Sequence, residues 1–274
     1  MSLSHKHDFA VIFKVKNANP NGDPLNGNRP RQTYEGFGEV SDVCIKRKIR
    51  NRLMQTGESI LIQSDDNKLD DCKSVRSRID AAKLDPKDPK FKQNACKKWY
   101  DVRAFGQVFA LKGKGKNDGV SVPVRGPVSI HPAFSIEPVS ITSTQITKSV
   151  NAEDTAKGKK SSDTMGMKHR VDEGIYEFYG SMNPQLSSDE TGTRFSDEDA
   201  EKIKTTLVQL FENDSSSARP DGSMEILKVI WWEHNCPHGQ YSSAKVHRSL
   251  IVNADGTYVL NNLDGLTPEE IDGF

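Results

Sequence analysis

Residues 17–40 read NANPNGDPLNGNRPRQTYEGFGEV and run directly into SDVCIKRKIRNRLM at residues 41–54. The second stretch predicts an amphipathic helix, because Ile45, Ile49 and Leu53 recur at helical spacing and fall on one face. That face is expected to meet the protein core. The glycine- and proline-rich stretch before it predicts a long loop that leads into the helix.

Five basic side chains flank the apolar face of this helix, and the acid Asp42 lies at its start. The five are Lys46, Arg47, Lys48, Arg50 and Arg52. Arg29 and Arg31 in the preceding loop add positive charge, and the free N–H groups of a helix start capped by Ser41 favour an anion there. A charged helix face is more often simply solvated, but no glutamate lies at helical spacing among these five bases. The stretch therefore favours a polyanion as ligand.

The composition limits the class of protein. A chain of 274 residues is long enough for one domain with insertions. Hydrophobic residues make up only 34% and the mean hydropathy is -0.66, so we expect segments outside the core that partners order. The sequence has no run of 18 apolar residues and no signal-peptide pattern at its start, which predicts a cytoplasmic protein that makes no membrane contact.

The charges are separated along the chain although the 38 basic and 38 acidic residues cancel. Residues 41–54, 101–130 and 148–170 are net basic, whereas residues 187–212 and 264–274 are net acidic. Such a chain can present a cationic groove on one side and an anionic surface on another. This polarity suits head-to-tail association of identical copies.

The cysteines and histidines do not predict a metal site. Four cysteines are scattered without a CxxC pair, which indicates free thiols in a reducing compartment. His234, Cys236 and His238 are close in sequence, but their spacing matches no common zinc pattern and favours a turn at the end of a strand. We therefore predict no metal and no cofactor.

The order of predicted elements indicates an α+β fold. Residues 9–15 (FAVIFKV) predict a central strand, and residues 99–111 and 196–213 predict two further helices. Alternating apolar and polar residues predict further extended segments, at 120–132, 138–150, 174–182, 224–234 and 246–252. Reduced to core elements, the order is the βαββαβ, ferredoxin-like arrangement that RNA-recognition domains share.

Two segments interrupt this order. Residues 57–98 are polar and rich in Asp-Pro, without a sustained period, and predict an insertion of helix and loop. Residues 148–171 are polar, basic and glycine-containing between strand-like flanks, and predict a protruding hairpin or loop. We therefore expect a single domain over residues 1–274 that carries both insertions.

Five motifs carry a resemblance to a known family. They are NANPNGDPLNGNRPR at 17–31, VSDVCIKRKIRN at 40–51, WYDVRAFGQVFA at 99–110, VRGPVSI at 124–130 and TMGMKHRVDEGIY at 164–176. In this order they resemble the repeated backbone subunit of the CRISPR surveillance complex Cascade, in its type I-C branch. The resemblance covers residues 8–252.

The resemblance implies a fold, a function and a set of partners. Members of this family have a modified RNA-recognition fold with an extended thumb, here residues 148–171. They are not enzymes and polymerise along CRISPR RNA as a helical filament that serves antiviral defence. The implied partners are CRISPR RNA, target DNA through guide pairing, copies of the chain itself, and the large and guide-processing subunits of the type I-C complex.

The RNA-binding candidates come partly from the residues and partly from the resemblance. By resemblance, Ser41, Lys46 and Arg50 contact the guide backbone, and a thumb residue such as Met165 or Met167 separates stacked bases. The remaining candidates for phosphate contacts are Arg29, Arg31, Arg47, Arg103, Arg125, Lys168 and Arg170. Phe105 and Trp99 are expected in the core, and the two methionines could also serve only in packing.

Two other functions remain as alternatives. Asp23 lies in the loop after the first strand, where one carboxylate could hold Mg²⁺ for cleavage of guide-paired RNA, although Asn-Gly-Asp-Pro is also ordinary turn chemistry. A solitary RNA-binding protein outside CRISPR is the second alternative. The chain lacks the aromatic-rich signature of ordinary RNA-recognition domains, so stacking of bases on the sheet is not expected.

Overall fold

A computed structural model describes residues 2–111, 119–147, 165–188, 190 and 192–274. The helices in chain order are α1 (Asp42–Gln55), α2 (Val75–Ala81), α3 (Phe91–Lys98), α4 (Tyr100–Phe105), α5 (Asp197–Val208) and α6 (Ser243–His247). The strands are β1 (His7–Ala18), β2 (Gly22–Asp23), β3 (Arg29–Pro30), β4 (Phe37–Val40), β5 (Gly106–Leu111), β6 (Val120–Arg125), β7 (Val128–Ile130), β8 (Ala133–Pro138), β9 (Ile141–Thr147), β10 (Met165–Met182), β11 (Met224–Glu233), β12 (Leu250–Val252), β13 (Tyr258–Leu260) and β14 (Glu269–Asp272).

A large antiparallel sheet organises this mixed α/β fold. Its strand order is β14–β11–β1–β10–β8–β4, and β7 and β9 also pair with β10. The central strand β1 lies between β10 and β11, so that Phe9 is opposite Gly180 on one side and Trp231 on the other. A strand paired on both edges and covered on both faces needs an apolar residue at nearly every position, which explains the FAVIFKV run.

The main core lies between one face of this sheet and the helices α1 and α5. Alternate residues of β1 meet apolar positions one turn apart on the helices, among them Phe9, Val11, Phe13, Ile45, Ile49, Leu53, Ile203 and Leu207. Ile45, Ile49 and Leu53 are at most 2% exposed, so the predicted apolar face of α1 is confirmed. Burial of this face fixes which side of α1 can present its basic residues to a ligand.

The other face of the sheet is covered by the C-terminal part of the chain. Ala10, Ile230 and Trp232 point to this side and pack with Val246 and with two leucines, Leu250 and Leu266. Because successive residues of a strand point to opposite faces, Ala10 and Phe9 serve the two different cores.

The predicted insertion at residues 57–98 contains α2 and α3 and has a small apolar core of its own. Its members include Leu61, Ile79, Phe91, Trp99 and Phe109. The rings of Phe91 and Phe109 meet edge to face at 4.9 Å between centroids. Trp99 is 2% exposed, which confirms its predicted place in the core.

The predicted helix over residues 99–111 is wrong in its second half. The helix α4 ends at Phe105, and Gly106–Leu111 forms β5, which pairs with β6. Gly106 has a φ of 78°, and a Cβ atom there would lie 2.3 Å from the carbonyl oxygen of Val124. The close approach of β6 therefore requires glycine and stops the helix.

Two other elements are shorter than predicted. The helix expected over residues 196–213 ends as α5 at Val208. Of the strand expected over residues 246–252, only Leu250–Val252 is extended, and it pairs with β13 outside the large sheet. Ser242 accepts a hydrogen bond from the backbone N–H of Lys245 and so starts α6 in place of that strand.

The predicted thumb falls only partly within the described residues. Residues 148–164 lie outside them, whereas the segment from Met165 to Val171 belongs to β10 and pairs with β9. The described part is thus a two-stranded ribbon that extends from the sheet. The four cysteines are free thiols, as predicted.

None of the helices in the described ranges has both the length and the apolar character that crossing a bilayer requires.

Candidate nucleic-acid interface

The start of α1 is tied to the loop that precedes it. Ser41 is the N-cap, and its hydroxyl oxygen accepts a hydrogen bond from the backbone N–H of Cys44 at 3.4 Å. The backbone N–H and hydroxyl of Ser41 both donate to Oδ1 of Asn21, at 3.0 and 2.9 Å. The loop is therefore hydrogen-bonded to the start of the helix, and the predicted capping role of Ser41 is confirmed.

Acidic residues pair with three basic side chains of α1, and two of these acids are remote in sequence. Lys46 lies 2.9 Å from Asp42 of its own helix, but Lys48 pairs with Asp214 of another segment. Lys48 is only 4% exposed. The surface of α1 is consequently less cationic than the sequence predicts, because chain folding supplies acids that helical spacing does not show.

Arg50 is held in place by the buried carboxylate of Asp101. Asp101 is 1% exposed and accepts hydrogen bonds from the backbone N–H groups of Leu61 and Ile62 at 2.8 and 3.0 Å. Its Oδ2 atom also accepts from Nε of Arg50 at 3.0 Å, and the guanidinium carbon lies 5.1 Å from the ring centroid of Phe105. These contacts use one edge of the guanidinium and orient the remaining donors of Arg50.

Arg47 lies on the outer face of α1. Its Nη1 atom donates to the carbonyl oxygen of Ile62 at 2.6 Å. Burial and the neighbouring Arg50 lower the pKa of Arg47, so an anion placed between the two guanidinium groups would be stabilised. Arg47 also lines a polar cavity of about 310 Å³ together with Lys48 and Arg219.

The loop after β1 contacts the β9–β10 ribbon. Nη1 of Arg29 donates to Oγ of Ser143 at 2.9 Å, and Nδ1 of His169 lies 2.8 Å from the same oxygen. Arg31 lies 3.5 Å from Asp23 within the loop. The structure therefore brings Arg29 to the base of the predicted thumb, whereas the ion pair of Arg31 stays within the loop.

The ribbon presents different chemistry on its two faces. Met165 and Met167 are 62% and 55% exposed and share one face, because strand residues two apart point the same way. Lys168 and Arg170 are exposed on the other face, where Nε of Arg170 lies 3.7 Å from Asp172. A wedge and a phosphate contact would thus come from opposite faces of the ribbon.

The two remaining candidates lie elsewhere in the fold. Arg103 forms two hydrogen bonds with the carboxylate of Asp199 at 2.9 and 2.8 Å, and its guanidinium lies over the ring of Tyr100. Its main contacts are thus with the start of α5. Arg125 is exposed at the end of β6, opposite Gly106.

Asp23 has a structural place in the loop. Its carboxylate accepts from the backbone N–H of Leu25 at 3.2 Å and caps the short 3₁₀ turn Pro24–Asn26. This contact is the ordinary turn chemistry expected of Asn-Gly-Asp-Pro, which was the alternative to a catalytic role for Asp23. Within the part of the chain that the structure describes, His, Cys, Asp and Glu residues form no cluster of three or more that could hold a metal ion.

Five residues of this region were not among the predicted candidates. They are Asn19, Asn21, Ser143, His169 and Arg219. His169 lies between the candidates Lys168 and Arg170 in the sequence. A strand predicted over these residues would have placed His169 on the same face as Met165 and Met167. The contact between Arg29 and Ser143 joins segments 114 positions apart, and no local pattern predicts it.

Comparison with known proteins gives consistent matches. The family model described as "CRISPR-associated protein Cas7" matches residues 5–265. A relative from Haloferax volcanii, described as "CRISPR-associated protein Cas7", is 22% identical over an alignment that covers 84% of this chain and 71% of the relative.

One solved structure shares the fold, and a second gives a weaker match. A chain of a "CRISPR RNA-guided surveillance complex, pre-nicking" has a TM-score of 0.51 at 17% identity, and the match covers 92% of this chain and 82% of that one. A chain of another "CRISPR RNA-guided surveillance complex" has a TM-score of 0.43 at 16% identity, with 92% and 77% covered.

Proposed function

The chain belongs to the family of CRISPR-associated Cas7 proteins, and on that premise we propose that it is a non-catalytic backbone subunit of a CRISPR surveillance complex. In this role it binds CRISPR RNA, associates head to tail with its own copies along the guide, and leaves the bases free to pair with target DNA. The further partners are the large subunit and the guide-processing subunit of a type I-C complex.

One observation carries this proposal. The Arg29–Ser143–His169 contact and the Ser41–Asn21 contact join the loop, the start of α1 and the ribbon into a single basic region. A protein that accepts any guide sequence must hold the sugar-phosphate backbone and leave the base edges free. Guanidinium, ammonium and backbone N–H groups meet this need, and all three are present in this region.

The strand order supports an RNA-recognition type of core. The helix α1 follows β1, the helix α5 lies between β10 and β11, and β1 is flanked by β10 and β11. We propose that these elements, with β7 and β8 as the remaining strand, form the βαββαβ core. Residues 57–98 and 148–171 are then insertions into a single domain over residues 1–274.

The exposed methionines of the ribbon support a role in shaping the bound strand. In this proposal Met165 or Met167 enters between stacked bases of the guide, because separating one base step costs only a few kcal/mol. Lys168 and Arg170 contact phosphates from the other face of the ribbon. Ser41, Lys46, Arg47, Arg50, Arg29 and Arg31 hold the backbone beside α1, and Arg125 extends the contact along β6.

The proposal predicts that a defined small RNA copurifies with the protein from cells that contain its CRISPR array. The bound nucleic acid should resist DNase, disappear on RNase treatment and run as a narrow band. The purified Lys46→Ala, Arg50→Ala double variant is the matched sample and should carry much less of it. Recovery of the wild-type protein free of RNA, or with only heterogeneous RNA fragments, would contradict the proposal.

A further inference from the structure

We propose that Asn19 accepts a hydrogen bond from a ribose 2′-hydroxyl of the bound strand and thereby makes the protein prefer RNA to DNA. This inference rests on the proposed function and adds to it a residue that distinguishes the two nucleic acids. Asn19 directly follows β1, at the point where the chain enters the loop that carries Arg29 and Arg31.

The orientation of the Asn19 amide is fixed by its surroundings. Its side-chain nitrogen donates to the carbonyl oxygen of Asn28 at 2.7 Å. A carbonyl oxygen can only accept, so the amide nitrogen must face Asn28 and the amide oxygen must face away. The backbone N–H of Asn19 donates to the carbonyl oxygen of Ala218 at 2.9 Å, which holds the residue from a second side.

The amide oxygen of Asn19 is a buried acceptor that needs a donor. Asn19 is 3% exposed, and its Oδ1 atom is buried without a hydrogen-bond partner in the described part of the protein. A buried polar atom without a partner is costly, so native proteins almost always satisfy it. A ligand that donates a hydrogen bond here would therefore gain more than one that meets an exposed amide.

The same residue lines a cavity beside the ribbon. The cavity has a volume of about 280 Å³ and lies between Asn19 and Asn28 on one side and Met167, Lys168 and His169 of β10 on the other. Lys168 lines this cavity and carries a positive charge suited to a phosphate, and Asn19 carries the acceptor that lacks a partner. The cavity therefore combines the two contacts that a single nucleotide of a bound strand can satisfy.

Among the groups of a nucleic-acid strand, the 2′-hydroxyl meets these requirements best. A phosphate diester has only acceptor oxygens and cannot donate to Oδ1 of Asn19. A base N–H could donate, but its use would favour particular guide sequences and occupy an edge that target pairing needs. The 2′-hydroxyl can donate at every position, and it is absent from DNA.

The test compares an RNA strand with a 2′-fluoro RNA strand of the same unstructured sequence. The fluorine keeps the sugar conformation of RNA but cannot donate a hydrogen bond. For the wild-type protein we expect the 2′-fluoro strand to bind about tenfold more weakly, the effect of one lost hydrogen bond to a buried acceptor. The Asn19→Ala variant should bind the two strands equally.

Two further variants separate the amide oxygen from the packing of the loop. Asn19→Asp keeps an acceptor, and it should preserve the preference while binding both strands more weakly because its charge repels phosphates. Gln32→Ala removes an amide that donates to the carbonyl oxygens of Gly36 and Val139, and it should leave the preference unchanged.

Several outcomes would overturn the inference. If the wild-type protein binds RNA and 2′-fluoro RNA equally, or if Asn19→Ala keeps the preference, Asn19 does not contact the 2′-hydroxyl, although the proposed function stands. Loss of the preference in Asn19→Asp would assign the effect to the tether on Asn28 and would likewise overturn it. Failure of the wild-type protein to bind either strand would instead contradict the proposed function itself.

Discussion

Replacement of Asp8 by asparagine is expected to lower the free energy of unfolding by about 3–5 kcal/mol, the usual cost of removing one partner from a buried ion pair. Asp8 lies on β1 and is fully buried. Its Oδ2 atom is 2.9 Å from Nε2 of His234 and 3.0 Å from Nζ of Lys6, and Nε2 of His247 lies 3.5 Å from its other carboxylate oxygen. The variant would leave these donors without their anion.

The position of Asp8 explains why the effect should be large. His234 follows β11, and His247 ends α6. The carboxylate thus ties the central strand to the segment that covers the second face of the sheet. Its loss should weaken the packing of Trp232 and Val246, which belong to that covered core.

Urea denaturation at neutral pH measures this prediction directly. Asp71→Asn is the matched control, because Asp71 is exposed and the same change of charge should leave the midpoint unaltered. An Asp8→Asn midpoint that coincides with that of the wild-type protein would show that the buried carboxylate does not hold the C-terminal segment to β1.

The difference in unfolding free energy between the wild-type protein and the Asp8→Asn variant should depend on pH. Burial alone would raise the pKa of Asp8, but hydrogen bonds from His234 and the neighbouring donors hold it far below its usual value. A carboxyl whose pKa is depressed in the folded state stabilises the protein above its unfolded pKa of about 3.9, and this contribution is lost as the pH falls below that value. The stability difference should therefore shrink as the pH falls below about 4. His7, whose pKa is lowered by burial, titrates in both proteins.

The second large effect is expected in RNA binding. The Lys46→Ala, Arg50→Ala double variant should bind single-stranded RNA at least about a hundredfold more weakly, because each hydrogen bond to a charged group contributes about 1.5–3 kcal/mol. The slope of log affinity against log salt should become shallower by about 1.4, since each phosphate contact to a single strand contributes about 0.7. Both changes should be the same for RNAs of different sequence.

A charge-matched control separates specific contacts from net charge. Lys97 and Lys98 are exposed at the end of α3 and are not among the proposed RNA contacts, and their double alanine variant removes two positive charges as well. It should change affinity and salt slope much less. Asp101 keeps its two backbone donors when Arg50 is absent but loses its cationic partner, so the urea midpoint of the double variant is measured beside its affinity to confirm that the protein is folded. A loss confined to particular base sequences, or an equal loss in the control, would contradict binding through phosphates.

Local patterns were sufficient for the framework of this fold. The apolar run of β1, the helical spacing of Ile45, Ile49 and Leu53, and the cap at Ser41 are properties of neighbouring residues, and the structure confirms them. The helix expected over residues 99–111 failed because the approach of β6 to Gly106 is a contact between segments. Periodicity within one segment carries no information about such a contact.

In the candidate site, too, local patterns predict the basic residues but not their contacts with distant segments. The sequence places basic residues along α1 but does not reveal that Asp101 and Asp214 meet Arg50 and Lys48. These acids are 51 and 166 positions away from their partners. Asn19 belongs to a motif that indicates a turn, and only the structure reveals its buried amide oxygen.

The measurement that tests the account most directly is the mass of the complex on RNAs of increasing length. If identical copies bind side by side along the guide backbone, the mass should rise in equal steps of one protein chain, with a fixed number of nucleotides per step. The steps should persist when the RNA sequence is changed. A complex that keeps one fixed stoichiometry on every length of RNA would contradict the account and favour a solitary RNA-binding protein.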